Sequence, residues 1–190
     1  MADVPLSAPS RPDLSHAAHT AERLLRDLPE RWAHSAGVAR RAREVAATVA
    51  PAERELLVAA AWLHDIGYHA DLTKTGFHPL DGALWLHRQG WPERLCALVA
   101  HHSGARFAAA ARGLTRELAR YPFEASPLTD ALTYADQTVG PYGRSMAVAE
   151  RIAEVLSRHG ADSVQARIHH QREPYLLAVA ARVERRLAAA

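Results

Sequence analysis

Residues 59–72, AAAWLHDIGYHADL, constrain the fold most, because an apolar helical stretch ends there in a histidine followed by an aspartate. Leu, Val, Ala and Trp dominate the residues before the pair, which predicts a helix buried in a core. An ionised carboxylate in such a setting is costly unless a cation lies beside it. The His64-Asp65 pair therefore predicts a positively charged partner at the end of a buried helix.

Helix-ending prolines and glycines recur along the chain, and sustained apolar/polar alternation is absent. We predict helices over about 15–28, 30–49, 51–67, 78–89, 92–102, 105–120, 126–140, 144–159, 163–171 and 174–188. Ser126-Pro127 should form an N-cap and first-turn pair. We expect a single-domain all-α helical bundle over residues 14–190, after a loose leader over residues 1–13.

Composition narrows the class of protein. The chain has 190 residues, 48% of them apolar, which suits one domain. A net charge of +2 gives no footprint that points to nucleic acid. The single cysteine, Cys96, rules out an internal disulfide and a thiolate metal cluster. Without a secretory leader or a membrane-length apolar run, we expect a cytoplasmic protein that binds neither nucleic acid nor membrane.

Several predicted helices that are otherwise apolar, and so expected in the core, contain histidine or aspartate. No cysteine is among these polar residues. A single such histidine is more often a hydrogen-bonded core residue, but several of one chemical type point to a shared role. Imidazole and carboxylate without thiolate form the ligand set of iron, manganese, nickel or zinc. A metal ion would supply the cation that His64-Asp65 needs. The residues are His34, His64, Asp65, His78, His101, His102 and Asp136.

The order of these residues resembles the HD-domain superfamily of metal-dependent phosphohydrolases. The local sequences are ERWAHSAGVARRA around His34, VAAAWLHDIG around His64-Asp65, and ALTYADQ around Asp136. HPLDGAL and LVAHHSGAR resemble the extra histidine motifs of the dinuclear members. The resemblance covers about residues 30–145, leaving C-terminal helices over 146–190.

The resemblance implies that four ligands are common to the superfamily and that Asp65 can bridge two metals. These four are His34, His64, Asp65 and Asp136. It also implies that His78 and one of His101 or His102 hold a second metal. Neighbouring helical residues point about 100° apart, so we expect one of the pair to bind and favour His102. One or two divalent ions are expected, iron or manganese first, with nickel or zinc also open.

A metal-activated water would then hydrolyse a nucleotide or another small phosphoester without a protein nucleophile. Basic residues near the site should bind the phosphate, and Arg106, Arg144 and Lys74 are the candidates by sequence position. The remaining histidines, at positions 16, 19, 69, 87, 159, 169 and 170, are assigned to the surface or to local packing.

Two alternatives remain open at this stage. The first is a mixed-valent di-iron oxygenase acting on a small polar substrate, because the extra histidine motifs also resemble HD-type oxygenases. Those enzymes tend to have a lysine where this chain has Arg106. The second is a non-catalytic, metal-stabilised domain that binds a nucleotide. The amphipathic C-terminal region leaves a homodimer open.

Overall fold

A computed structural model describes residues 13–190, so the leader predicted over residues 1–13 lies outside the described part except for Asp13. Within that part the chain forms helices and no strand, apart from one isolated bridge between Val139 and Ser145. The all-α prediction is confirmed. The helices are α1 (Leu14–Leu25), α2 (Pro29–Glu44), α3 (Arg54–Leu63), α4 (His78–Arg88), α5 (Glu93–His101), α6 (Ala105–Ala111), α7 (Thr115–Leu118), α8 (Pro127–Gln137), α9 (Val148–His159) and α10 (Val164–Ala188).

Side-chain caps begin several of these helices. The Asp13 carboxylate accepts from the backbone N–H of Ser15 at the start of α1. Ser126 accepts from the backbone N–H of Thr129 at 3.2 Å, and Pro127 is the first residue of α8. These contacts satisfy backbone donors that have no partner within the helix. The predicted Ser126-Pro127 start is confirmed.

The predicted helix over 51–67 is shorter in the structure. Residues 51–53 form a 3₁₀ turn, α3 ends at Leu63, and the chain leaves helical geometry at Asp65 (φ −103°, ψ 4°). A second 3₁₀ turn, Ile66–Tyr68, lies against the first turn of α4. Gly67 lies four residues beyond the end of α3 and directly against the backbone of His78, so it marks a close contact with α4 and does not cap α3.

Two further helix predictions were wrong. The stretch 105–120 is divided into α6 and α7 because Gly113 adopts a left-handed conformation (φ +73°), which ends a helix. Conversely, α10 continues through Pro174. An internal proline costs about 3 kcal/mol, yet buried Ile168, Leu176 and Val179 anchor the helix on both sides of it.

The helix α3 runs through the centre of the fold. It contacts α1, α2, α5 and α8, and its residues are shared between two apolar clusters. Ala59 and Leu63 belong to one cluster, and Leu57 and Ala60 to the other. The end of α3 therefore delivers His64 and Asp65 into the interior. Between residues 13 and 190, no helix combines the length and the apolar character needed to cross a bilayer.

Candidate metal centre

Six buried or half-buried side chains converge where α2, α3, α4, α5 and α8 meet. They form two groups of three residues. Within each group, one potential ligand atom of each residue lies within 4.8 Å of those of the other two. We refer to all six as the His/Asp cluster. The first group is His34, His64 and Asp136, and the second is Asp65, His78 and His102.

Backbone carbonyls orient three of the histidine rings. Each ring donates its Nδ1–H to a carbonyl oxygen. His34 donates to Gly140 O at 3.2 Å, His64 to Ala61 O at 2.8 Å, and His102 to Val99 O at 2.7 Å. A carbonyl can only accept, so in each ring Nδ1 carries a proton and Nε2 faces the cluster. This is the arrangement in which a neutral histidine offers Nε2 to a metal.

The carboxylate of Asp65 belongs to the second group and also lies close to the histidines of the first group. Its Oδ1 is 3.3 Å from His78 Nε2, 3.6 Å from His64 Nε2 and 3.9 Å from His102 Nε2. Its Oδ2 is 3.9 Å from His34 Nε2. Asp65 thus contacts both groups, as a bridging ligand would.

The charge states suit a metal site. Burial lowers the pKa of His64 and His102, and it lowers the pKa of His78 to about 4. Burial acts to raise the pKa of Asp65, but His64, His78 and Arg31 outweigh it and hold that pKa well below its ordinary value. These shifts favour neutral imidazoles at His64, His78 and His102 and ionised carboxylates at Asp65 and Asp136 near neutral pH, the forms that bind metal ions.

Polar contacts fix the carboxylate of Asp136. Its Oδ2 accepts from the hydroxyl of Ser103 and, at 3.1 Å, from Gln137 Nε2. Its Oδ1 then faces the lone pair of His34 Nε2 at 2.9 Å, a pair of acceptors that a cation would bridge. Ser103 follows His102 in a left-handed conformation (φ 51°) just beyond α5. That turn brings the α5 end onto α8 and holds His102 in the cluster.

His101 points elsewhere. Its Nε2 donates to Tyr121 O at 2.7 Å, and it belongs to neither group of candidate ligands. The structure thus brings His102, and not His101, to the cluster, in line with the preference drawn from the sequence. The two side chains diverge where α5 ends at His101 and the chain leaves helical geometry at His102 (φ −56°, ψ 150°).

An aromatic and cationic stack lies beside His78. The Tyr68 ring stacks on His78 with a centroid distance of 4.0 Å and an interplanar angle of 18°. The Arg31 guanidinium lies 3.9 Å from the Tyr68 centroid and donates to Asp65 Oδ2 at 3.2 Å. Sequence reasoning missed Arg31, although it precedes His34 by three residues and so shares its helix face.

A cavity of about 80 Å³ opens onto the cluster. Helices α9 and α10 contribute to its lining, which the sequence analysis did not anticipate. A larger outer cavity of about 410 Å³ shares Tyr68, His78 and Gln165 with it. Four arginines line the inner cavity: Arg31, Arg151, Arg158 and Arg172.

The three basic residues proposed from sequence position do not line this cavity. The Arg106 guanidinium lies over the rings of Phe107, Phe123 and Tyr175 at 4.6–4.9 Å. Arg144 and Lys74 are exposed on loops. Residues near the site in sequence are therefore not near it in space. α5 ends before Arg106, and Arg144 is exposed in the loop after α8.

The other histidines lie mostly at the surface. Positions 16, 19, 87, 159 and 170 are exposed, while His69 and His169 are partly buried. His69 Nδ1 accepts from the backbone N–H of Asp71, a local contact. His159 contributes to the inner cavity, so it lies nearer the cluster than its surface assignment suggested.

The helical fold and the buried cluster of histidines and aspartates are those of a helical protein with a metal site. Comparison with known families identifies which family of such proteins this chain belongs to. The family model for the HD domain matches residues 31–158, about two thirds of the chain. The chain therefore belongs to the HD domain family, as the resemblance indicated. Members of this family are generally metal-dependent phosphohydrolases. Comparisons with curated proteins and with solved structures gave no match.

The residues present suit divalent metal ions. His64 Nε2 is fully buried and has no hydrogen-bond partner, although the carboxylates of Asp65 and Asp136 lie within 4 Å of it. Because the Nδ1–H of His64 donates to Ala61 O, its Nε2 has a lone pair. This lone pair and the carboxylates of Asp65 and Asp136 face the same space. A cation in that space would satisfy all three.

Proposed function

We propose that the chain is a metal-dependent phosphohydrolase that acts on a nucleotide or another small phosphoester. The observation that carries the proposal is the convergence of oriented histidine Nε2 atoms and two carboxylates beside a cavity lined by arginines. His34, His64 and Asp136 would hold one ion, and Asp65, His78 and His102 a second. We propose iron or manganese as the ions, with nickel or zinc as alternatives.

Bound divalent ions would supply an activated water and offset the negative charge of a phosphoester. The protein would contribute orientation and electrostatics. Backbone carbonyls fix the histidine rings, Ser103 and Gln137 hold Asp136, and Arg31 lies beside Asp65. The Ser103 hydroxyl donates to Asp136, which in this proposal is a metal ligand. The proposed reaction uses a water molecule and needs no protein nucleophile.

The mixed-valent di-iron oxygenase is the second candidate, because the two groups that share Asp65 would also suit an iron pair. The position that often holds a lysine in such enzymes is occupied by Arg106, which lies against aromatic rings and outside the cavity. This placement favours hydrolysis. A non-catalytic, metal-stabilised nucleotide-binding domain is the third candidate.

Phosphate release tests the proposal directly. The full chain, purified without oxygen, is supplied with manganese or iron and a panel of nucleotides and phosphomonoesters. His64→Ala is compared with His87→Ala, which changes an exposed histidine of α4 outside the cavity. Hydrolysis should need metal, persist without oxygen and survive in His87→Ala. It should fall on the order of 100-fold or more in His64→Ala, since even outer contacts of metal ligands can be worth about 10- to 100-fold.

The same assay separates the alternatives. Turnover that requires both iron and dioxygen would replace the hydrolase with the oxygenase. Stoichiometric metal binding without turnover of any phosphoester in the panel would favour the non-catalytic domain.

A further inference from the structure

The C-terminal helices α9 and α10 bring positive charge to the inner cavity. Arg151 and Arg158 come from α9 and Arg172 from α10, and all three line the cavity that opens onto the His/Asp cluster. Arg172 lies beyond residues 31–158, the part of the chain that the family model matches. This side of the cavity therefore depends in part on α10, which lies outside the matched HD domain.

Arg172 makes few direct contacts through its guanidinium. Its Nε donates to Ser103 O at 2.9 Å, and among residues 13–190 no carboxylate oxygen lies within 4.0 Å of its guanidinium. Burial lowers the pKa of Arg172, the negative charge of Asp136 acts to raise it, and the positive charge of Arg151 lowers it further. A guanidinium has five N–H donors in a rigid fork, so most of its donors are free for a ligand.

Arg151 and Arg158 share one carboxylate. Glu154 pairs with Arg151 through one oxygen and with Arg158 Nε at 3.0 Å through the other. Arg151 is 5% exposed, and its Nε has no hydrogen-bond partner. With Arg31, four arginines thus face the three carboxylates of Asp65, Asp136 and Glu154, which leaves one positive charge in excess around the cavity. Like charges there repel one another unless an anion lies between them.

The number and directions of these donors favour a phosphoryl group. One arginine fork suffices for the two oxygens of a carboxylate, whereas a phosphoryl dianion offers three oxygens to donors from several directions. The inner cavity of about 80 Å³ has room for a group of this size, and the rest of a larger substrate would occupy the outer cavity of about 410 Å³.

We propose that Arg151, Arg158 and Arg172 form an anion subsite that holds the terminal, dianionic phosphoryl group of a phosphomonoester against the His/Asp cluster. The subsite rests on the proposed hydrolase and specifies its substrate class. A phosphodiester has a single negative charge and carries a substituent on either side of phosphorus. It would satisfy the three arginines less well and would need a second exit from the inner cavity.

Binding of inorganic phosphate and dimethyl phosphate, measured by calorimetry at low ionic strength, tests the subsite. The full chain is studied as purified and again after chelation of its metals, with helix content checked by circular dichroism. Arg172→Gln is compared with Arg167→Gln, which removes the same charge from an exposed position of α10 outside the cavity. Arg172→Lys provides a second variant that keeps the charge and loses the planar fork.

We expect phosphate to bind the parent chain and Arg167→Gln alike. Binding should weaken roughly tenfold or more in Arg172→Gln, the loss expected for charge-assisted hydrogen bonds, and to a smaller extent in Arg172→Lys. Dimethyl phosphate should bind at least roughly tenfold more weakly than phosphate, because it offers one charge and two free oxygens.

Equal phosphate binding by Arg172→Gln and the parent would overturn the subsite, and so would equal binding of the two probes. If Arg172→Gln does not fold, Arg172→Lys decides in the same way. Failure of the hydrolase proposal would look different, because phosphate would still bind through Arg172 while no metal-dependent phosphate release occurred.

Discussion

Gly67 lies so close to His78 that a Cβ atom built on the glycine would be 2.0 Å from the carbonyl oxygen of His78 and 2.7 Å from the amide nitrogen of Gly82. Both atoms belong to the backbone of α4, so no side chain can move aside. The turn after His64-Asp65 and the start of α4 are thereby held together, which places His78 beside Asp65.

Gly67→Ala should therefore displace α4. We expect the free energy of unfolding to fall by at least about 1–3 kcal/mol, as for overpacked cores, and the metal content to drop because His78 moves. Urea unfolding and elemental analysis check both effects. Gly82→Ala is the milder comparison at the same contact, since its Cβ would lie 3.3 Å from the Gly67 amide nitrogen and should cost less than a 2.0 Å clash. Equal effects in the two variants would contradict the role given to Gly67.

The loop before His78 depends on a buried carboxylate. Asp81 is 1% exposed and accepts from the backbone N–H of Thr75 at 2.8 Å and from its hydroxyl at 2.9 Å. Asp81→Ala should leave both donors unsatisfied and lower the free energy of unfolding by about 1–3 kcal/mol. Asp71→Ala, at a carboxylate 88% exposed, should change it by less than about 0.5 kcal/mol. Urea denaturation of both variants measures the difference, and equal midpoints would show that the Asp81 contacts contribute nothing.

Much of the fold could be predicted from local signals. Ser126-Pro127 identified the start of α8 because capping acts within one turn. The breaks at Leu63 and Gly113, and the continuity of α10 through Pro174, were missed. At Leu63 and Pro174 the outcome depends on packing between distant helices, and local propensity does not report such packing. At Gly113 the sequence contained the signal, a glycine able to end a helix.

For the site as well, some residues could be predicted from local sequence pattern and others could not. His34, His64 and Asp136 stood out because each interrupts an apolar helix face, and that pattern is local. The arginine lining was not visible, since Arg172 comes close to Asp136 only when α10 packs on α8. Arg106 was chosen for its distance from His102 along the chain, but the left-handed turn at Ser103 redirects the helix that carries it.

Asp130 joins α8 to α10. Its carboxylate accepts from Arg182 at 2.6 and 2.8 Å and from Arg186 at 2.9 Å. Asp130→Ala should loosen α10 and lower the free energy of unfolding by about 1–3 kcal/mol, as expected for charge-assisted hydrogen bonds. Asp162→Ala, at an exposed residue before α10, serves as the control. Denaturant titration provides the measurement, and an unchanged midpoint in Asp130→Ala would contradict this attachment.

The thiol of Cys96 should make stability depend on alkaline pH. Burial raises its pKa to about 11, whereas an exposed cysteine ionises near pH 9. The folded chain keeps this proton while the unfolded chain releases it, so the stabilising effect is complete below pH 9 and is lost between pH 9 and 11. The contribution of Cys96 to the free energy of unfolding should be about 1 kcal/mol smaller at pH 10 than at pH 8.

Cys96→Ala isolates this effect, because the variant lacks the thiol but retains every other titrating group. The decrease in stability from pH 8 to pH 10 should be smaller in the variant by that amount. Parallel pH profiles for the two proteins would show that the buried thiol is not responsible.

Metal content per chain tests the His/Asp cluster most directly. The parent, His102→Ala and His101→Ala are purified without oxygen and analysed for metals, so that two neighbouring histidines serve as test and control. The structure places His102 in the second group of ligands, while His101 donates to Tyr121 O. We predict about two ions per chain in the parent and in His101→Ala, and about one in His102→Ala. Equal metal content in all three proteins, or loss in His101→Ala alone, would contradict the dinuclear site.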